Sequence, residues 1–342
     1  MAHLSRDDRG QILLVAAFAL AVVFVAMALI VNSAIFTENL ASRGETSGSD
    51  GALSLRADVV AGVGAGVEAA NRNDNGSVDA LTDAVNASIR TISDQTGRQA
   101  ARSGRVVDVS SETFRTGERI YRAGDSNFTD GSGDGSYQLV GNVARVDGAN
   151  GTRAFVIDAT DISAADNSSA FEIRVQESGA TGGNENSWRA RIWNVTGSDT
   201  VHVRTIKNDG GATVVEDCEV TKDSPGEAVR IDVTDGTIDG EGCDALATSP
   251  SGENFHFGAG TGVTPGTSDT YDIAFDNADT ITGSFSLVVY DRPGTSLDLL
   301  SFGPTAPKSD TALYDVTVRY THLTADLRYE TDVRVARGEP DV

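Results

Sequence analysis

Val316-Thr-Val-Arg-Tyr-Thr-His-Leu-Thr-Ala-Asp-Leu-Arg-Tyr-Glu-Thr-Asp-Val-Arg-Val335 decides the fold class. From Val316 to His322, and again from Leu327 to Val335, every second side chain is apolar, ring-bearing or small. Period two turns one face of a strand toward a core and the other toward water. Leu323-Thr324 between the runs reads as the turn of a β-hairpin. The same texture reaches back to Arg105, as short β-branched runs between clusters of Gly, Asp, Asn and Ser. Strands are expected at Val106–Val109, Glu118–Arg122, Tyr137–Val146, Arg153–Ile157, Phe171–Gln176, Trp188–Val195, Thr200–Lys207, Ala212–Val220, Ala228–Val233, Phe255–Phe257, Tyr271–Phe275, Ser284–Tyr290, Leu313–His322 and Ala325–Val335. Many short strands at this spacing predict an antiparallel β-sandwich-like region over 104–342, in one or two subdomains, with Gly258 to Gly266 as the internal linker or a long loop.

Upstream the period changes to 3.6. Residues 52–71 carry Leu53, Val59, Val60, Val63 and Val67, and predict a helix. Gly64, Gly66 and Ala69 also match a relaxed G-x-G-x-x-A dinucleotide pattern, but no strand precedes them, so close packing on a neighbouring helix is the reading. After a polar turn at 71–77, capped by Ser77 or Asp79, a second helix is expected from Val78 to Arg102. Leu81, Val85, Ile89 and Ile92 form its stripe. The two make an antiparallel helical region over 44–103, and the chain as a whole is α+β.

Ile12 to Val31 is twenty residues without charge or proline. As a helix it matches the roughly 30 Å hydrocarbon core of a bilayer. Arg6 and Arg9 precede it, while Glu38 and Arg43 follow. The basic bias therefore keeps the N-terminus cytoplasmic and puts residues after 36 outside. The expected parts are a leader over 1–10, a transmembrane helix over 11–43, and an extracellular body.

Asp7-Asp8-Arg9-Gly10-Gln11, running straight into an apolar helix that ends Ile30-Val31-Asn32-Ser33-Ala34, resembles the start of archaellins and other archaeal type IV pilin-like proteins. The resemblance covers about residues 6 to 40. It implies that a prepilin-type peptidase cuts after Gly10, that Gln11 becomes the new N-terminus, and that the retained helix packs with copies of itself or other pilin-like subunits in a filament core. An uncleaved signal anchor is the plainer reading of the same run.

The net charge is −23, with Lys207, Lys222 and Lys308 the only lysines. Acids spread along the whole body fit a protein that lives in concentrated salt, where counter-ions screen self-repulsion. They exclude nucleic acid as a partner, since phosphate contacts need basic stripes. Cys218 and Cys243, in an exported region, predict one disulfide. Asn-x-Ser/Thr acceptors stand at Asn75, Asn127, Asn150, Asn167 and Asn194, with Asn86 inside a helix the poorest. Asp130-Gly-Ser-Gly-Asp134-Gly135 imitates a calcium loop, but its twelfth position is Gly141, so a solvated turn is the reading. Asp235, Asp239 and Glu241 form a similar weak cluster. No G-x-S-x-G, H-E-x-x-H or Walker A motif occurs, and His202, His256 and His322 stand alone. The reading is not an enzyme, with no cofactor and no metal. It is a pilin-like surface subunit, or else a single-pass anchored binding domain.

Overall fold

The computed structural model describes residues 51–73, 76–144, 151–164, 166–179, 187–195, 198–208, 213–222, 227–246, 270–291, 297–299 and 306–336, together with Met27. The expected leader, apolar run, Phe255–Phe257 strand and 258–266 linker lie outside these residues. Among the described residues no helix is long and apolar enough to cross a membrane.

Helix α1 covers 51–72 and α2 spans Val78–Ala101. Among the described residues fifteen strands follow: β1 (Val106–Asn127), β2 (Tyr137–Ala144), β3 (Thr152–Ile162), β4 (Phe171–Glu177), β5 (Ser187–Asn194), β6 (Thr200–Asn208), β7 (Thr213–Thr221), β8 (Val229–Asp232), β9 (Thr237–Ile238), β10 (Glu241–Gly242), β11 (Thr270–Asp276), β12 (Ile281–Tyr290), β13 (Asp298–Leu299), β14 (Lys308–Leu323) and β15 (Arg328–Val335). The first sheet runs β10-β9-β8-β3-β12-β1-β14-β15 and the second β13-β2-β11-β4-β5-β6-β7, with antiparallel neighbours throughout.

One core lies between the sheets. Ile120, Phe155, Ile157, Phe285 and Leu287 from the first meet Phe171, Ile173, Trp188, Ile192 and Phe275 from the second. Phe128 sits at its centre, with edge-on contacts to Phe171 at 5.7 Å and Phe285 at 5.0 Å. A second core covers the outer face of the first sheet. There Val59, Val63 and Val67 of α1 and Leu81, Val85 and Ile89 of α2 pack on Val107, Val316, Val318, Tyr320 and Val333. The layers are therefore helix pair, sheet, sheet. The glycines of α1 serve the helix pair: a Cβ on Gly66 would lie 3.1 Å from Ser88 Cβ, and one on Gly62 3.3 Å from Ile92 Cδ1.

The helix and strand expectations hold in outline, with differences of physical origin. Ser77 caps α2, its hydroxyl accepting from the Ala80 amide at 3.2 Å. Leu53 is 51% exposed and so falls off the apolar face of α1. Val106–Val109 and Glu118–Arg122 are the two ends of one strand. The polar stretch between them is held by its ladder to β14, which carries two bulges. The β14–β15 hairpin turns at 324–327, later than Leu323-Thr324. Leu323 pairs with Arg328, and the Thr324 hydroxyl accepts from the Leu327 amide at 2.9 Å. A side chain able to hold its own turn outweighs the alternation here.

Cys218 in β7 and Cys243 just after β10 are disulfide-linked, with their Cα atoms 5.6 Å apart. The bond joins the edge strand of the second sheet to the edge region of the first. Thr205 Oγ1 donates to Ala245 O at 2.7 Å beside it.

Candidate functional site

The last turns of α1 lie over the outer face of the first sheet and leave a cleft of about 270 Å³. The register puts rows of residues on that face. Arg119 is opposite Val288 and Val288 opposite Arg153; Tyr121 is opposite Ser286 and Ser286 opposite Val156; Ser284 is opposite Asp158 and Asp158 opposite Arg230. Directly opposed residues of antiparallel strands share a face. These rows therefore form a floor across β1, β12, β3 and β8. Gly64, Glu68, Asn71 and Arg72, one stripe of α1, form the wall.

Two bulges shape the floor. The β3–β12 register shifts between Ser286 and Val288, and Ala154 there adopts φ 49°, a left-handed conformation that L-residues rarely take. The amide of Phe155 turns away and donates to Thr234 Oγ1 at 2.8 Å. The β1–β12 register shifts between Arg122 and Ser126, with Gly124 at φ 95° between them. Bulges of this kind re-aim side chains and often adjoin functional sites.

Four arginines on these faces line the cleft, Arg72, Arg119, Arg153 and Arg230, against two carboxylates, Glu68 and Asp158. The whole chain has 27 basic residues against 50 acidic ones. Its prevailing charge is thus reversed locally. Each guanidinium is oriented. Arg119 donates to Ser286 Oγ at 3.0 Å and to Asn71 O at 3.3 Å, and lies 4.2 Å over the Tyr121 ring. Arg153 lies 4.6 Å over Tyr314. Arg122 shares the inter-sheet face with Ile120 and turns away from the cleft, donating to Ser126 Oγ at 3.0 Å and Thr129 O at 2.7 Å, and its burial pulls its pKa below the ordinary arginine value. On the rim Arg230 pairs with Asp158 at 3.0 Å, and Arg72 with Glu68 at 3.5 Å. Guanidinium forks held in fixed planes recognise planar anions.

Of the described residues singled out in the sequence, Gly64 and Val67 line this cleft, and none of the candidate site residues does. Gly10, Gln11, Asn75, Asn150 and His256 lie outside the described residues. Asn127 is exposed, its amide donating to Asp279 O at 2.6 Å. The side-chain oxygens of Asn167 and Asn194 are buried without a hydrogen-bond partner among the described residues. Asn86 accepts from Ser111 Oγ at 2.6 Å. Asp130 holds its own turn, its carboxylate accepting from the Asp134 amide and from the hydroxyl and amide of Ser132, at 2.8 Å each, which lowers its pKa. Asp239 accepts from the Arg230 amide at 2.7 Å. His202 stacks on Trp193 at 5.2 Å. His322 is fully buried, and neither of its ring nitrogens has a hydrogen-bond partner among the described residues. The cleft arginines escaped the sequence reading because they are scattered from 72 to 230. Arg119-Ile-Tyr121 on alternate positions of an expected strand was the only local signal.

Residues 6–133 match the model of a family of unknown function, DUF7261. The matched stretch takes in both helices and β1, hence one wall and part of the floor of the cleft. Neither the curated proteins nor the solved structures contain a match to the chain.

Proposed function

We propose that the chain is a pilin-like subunit of a type IV pilus-related surface structure. In this reading Ile12 to Ile35 inserts it in the cell membrane, with the N-terminus cytoplasmic and the acidic β-rich body outside. The observation that carries the reading is Arg9-Gly10-Gln11 set directly against the twenty-residue apolar run Ile12–Val31. Two features support it. The linked pair Cys218–Cys243 suits a body delivered to an oxidising exterior. Charge of −23 with three lysines suits exposure to concentrated salt. Cutting after Gly10 removes Arg6 and Arg9, charges that cost about 2.5–3.5 kcal/mol each to drag into hydrocarbon. The freed helix can then leave the bilayer and bury its apolar surface among copies of itself.

The experiment is to shear the cell surface and look for the chain in the filament fraction, beside a Gly10→Val variant. The reading expects the chain in that fraction and its loss in the variant, which stays in the membrane. Equal partition of both to the membrane favours the second reading, a single-pass anchored domain that binds through its exposed body. The arginine-lined cleft is the observation behind that alternative.

A further inference from the structure

We infer that the cleft between α1 and the outer face of the first sheet binds a carboxylate-bearing sugar, a uronic acid unit. Such a ligand has three chemical parts, and the cleft offers a counterpart to each. For the carboxylate there are four guanidinium groups against two acids, in a chain whose overall ratio is 27 to 50. Arginine forks pair with planar carboxylates through two parallel hydrogen bonds. Arg72 and Arg230 have side chains 59% and 45% exposed and stand on the rim, each already beside a carboxylate of the protein. They show in miniature the pairing that the ligand would make.

For the hydroxyls there are acceptors and donors at short range: the carboxylates of Glu68 and Asp158 and the hydroxyls of Ser284 and Ser286. For the apolar face of the ring there is a floor of Val156 and Val288, with Val67 above on α1. The volume of about 270 Å³ sits near the lower end of small-ligand pockets, roughly 300–1,000 Å³, and suits one sugar ring.

The same two acids argue against a phosphate dianion, which would meet them at close range in a partly desolvated site. A nucleic acid meets the further obstacle of −23 on the whole chain. The preparation of the site is visible in its rigidity. Arg119 is tied at once to β12 and to the end of α1, and Arg153 sits over the Tyr314 ring. Fixing the forks in advance reduces the ordering cost of binding.

Isothermal titration of the full-length protein in detergent with sodium glucuronate tests this, with glucose and sodium sulfate as parallel titrants at matched ionic strength. The variants are Arg72→Gln and Arg230→Gln, whose exposed side chains leave the folded body intact; thermal unfolding checks that they do. Glucuronate is expected to bind saturably, with glucose and sulfate at least about tenfold weaker, and each variant at least about tenfold weaker than wild type, the loss typical of one charge-assisted pair. A trigalacturonate arm separates sources: tighter binding than the monosaccharide assigns the cleft to the end of a polymer, equal binding to a single unit. No saturable heat from glucuronate overturns the inference, as does sulfate or glucose binding equally well, or both variants matching wild type.

Discussion

Asn71→Ala tests the joint on which the cleft depends. Asn71 is 7% exposed and lies in the last turn of α1. Its Nδ2 donates to Leu313 O and its Oδ1 accepts from Leu313 N, both at 2.8 Å. The β1–β14 register jumps there, from Arg115 opposite Asp315 to Thr116 opposite Leu313, so the amide clasps the backbone of a bulge. Alanine leaves an N–H and a C=O bare in a place where Leu313 itself has no exposure. Each orphaned group costs about 1–3 kcal/mol, and alanine returns at most about 0.7 kcal/mol of helix propensity. The net loss is roughly 1.5–5 kcal/mol, or about 3–20 °C in the thermal midpoint at about 2–4 °C per kcal/mol for a body of this size. Circular dichroism across a thermal ramp reads it. Asn71→Asp keeps the acceptor, loses the donor and should fall between. A midpoint within about 1 °C of wild type for the alanine variant would refute the reasoning.

His322 is buried, and desolvation with the nearby charge of Arg105 lowers its pKa from 6.5. The unfolded chain then takes up the proton first. Stability is therefore full above about pH 6.5 and falls as pH drops from there to the folded-state value. Urea midpoints of wild type and His322→Phe should diverge in that window, and parallel curves would contradict it. Ala154→Gly relieves a left-handed alanine at φ 49° and should raise the midpoint, by about 0.5–1 kcal/mol of stability; a lowered midpoint would speak against the bulge geometry. Replacing Cys218 and Cys243 together by serine opens a closure of 25 residues and should cost about 3.5 kcal/mol in the chain-entropy account. Unfolding that is indifferent to both reductant and substitution would count against it.

The α+β character was legible because it rests on local periodicity. Val316 to Tyr320 alternates strictly, and those residues face the helices as alternation requires. Leu81, Val85 and Ile89 are buried at the spacing that marked them. Tiny strands such as Thr237–Ile238 and Asp298–Leu299 were not legible, since two residues have no period. Nor was the order β8-β3-β12-β1, which interleaves distant segments and alone brings Arg119, Arg153 and Arg230 onto one floor. The clasp of Asn71 on Leu313, 242 residues away, depends on a bulge in β14 that no spacing announces.

The most direct measurement is the N-terminal residue of the mature protein taken from membranes and from sheared surface filaments. The pilin-like account predicts Gln11 in both, with Ile12 to Ile35 retained behind it and the Gly10→Val variant uncut. Met1 or Ala2 as the mature terminus, with the variant indistinguishable from wild type, would contradict it.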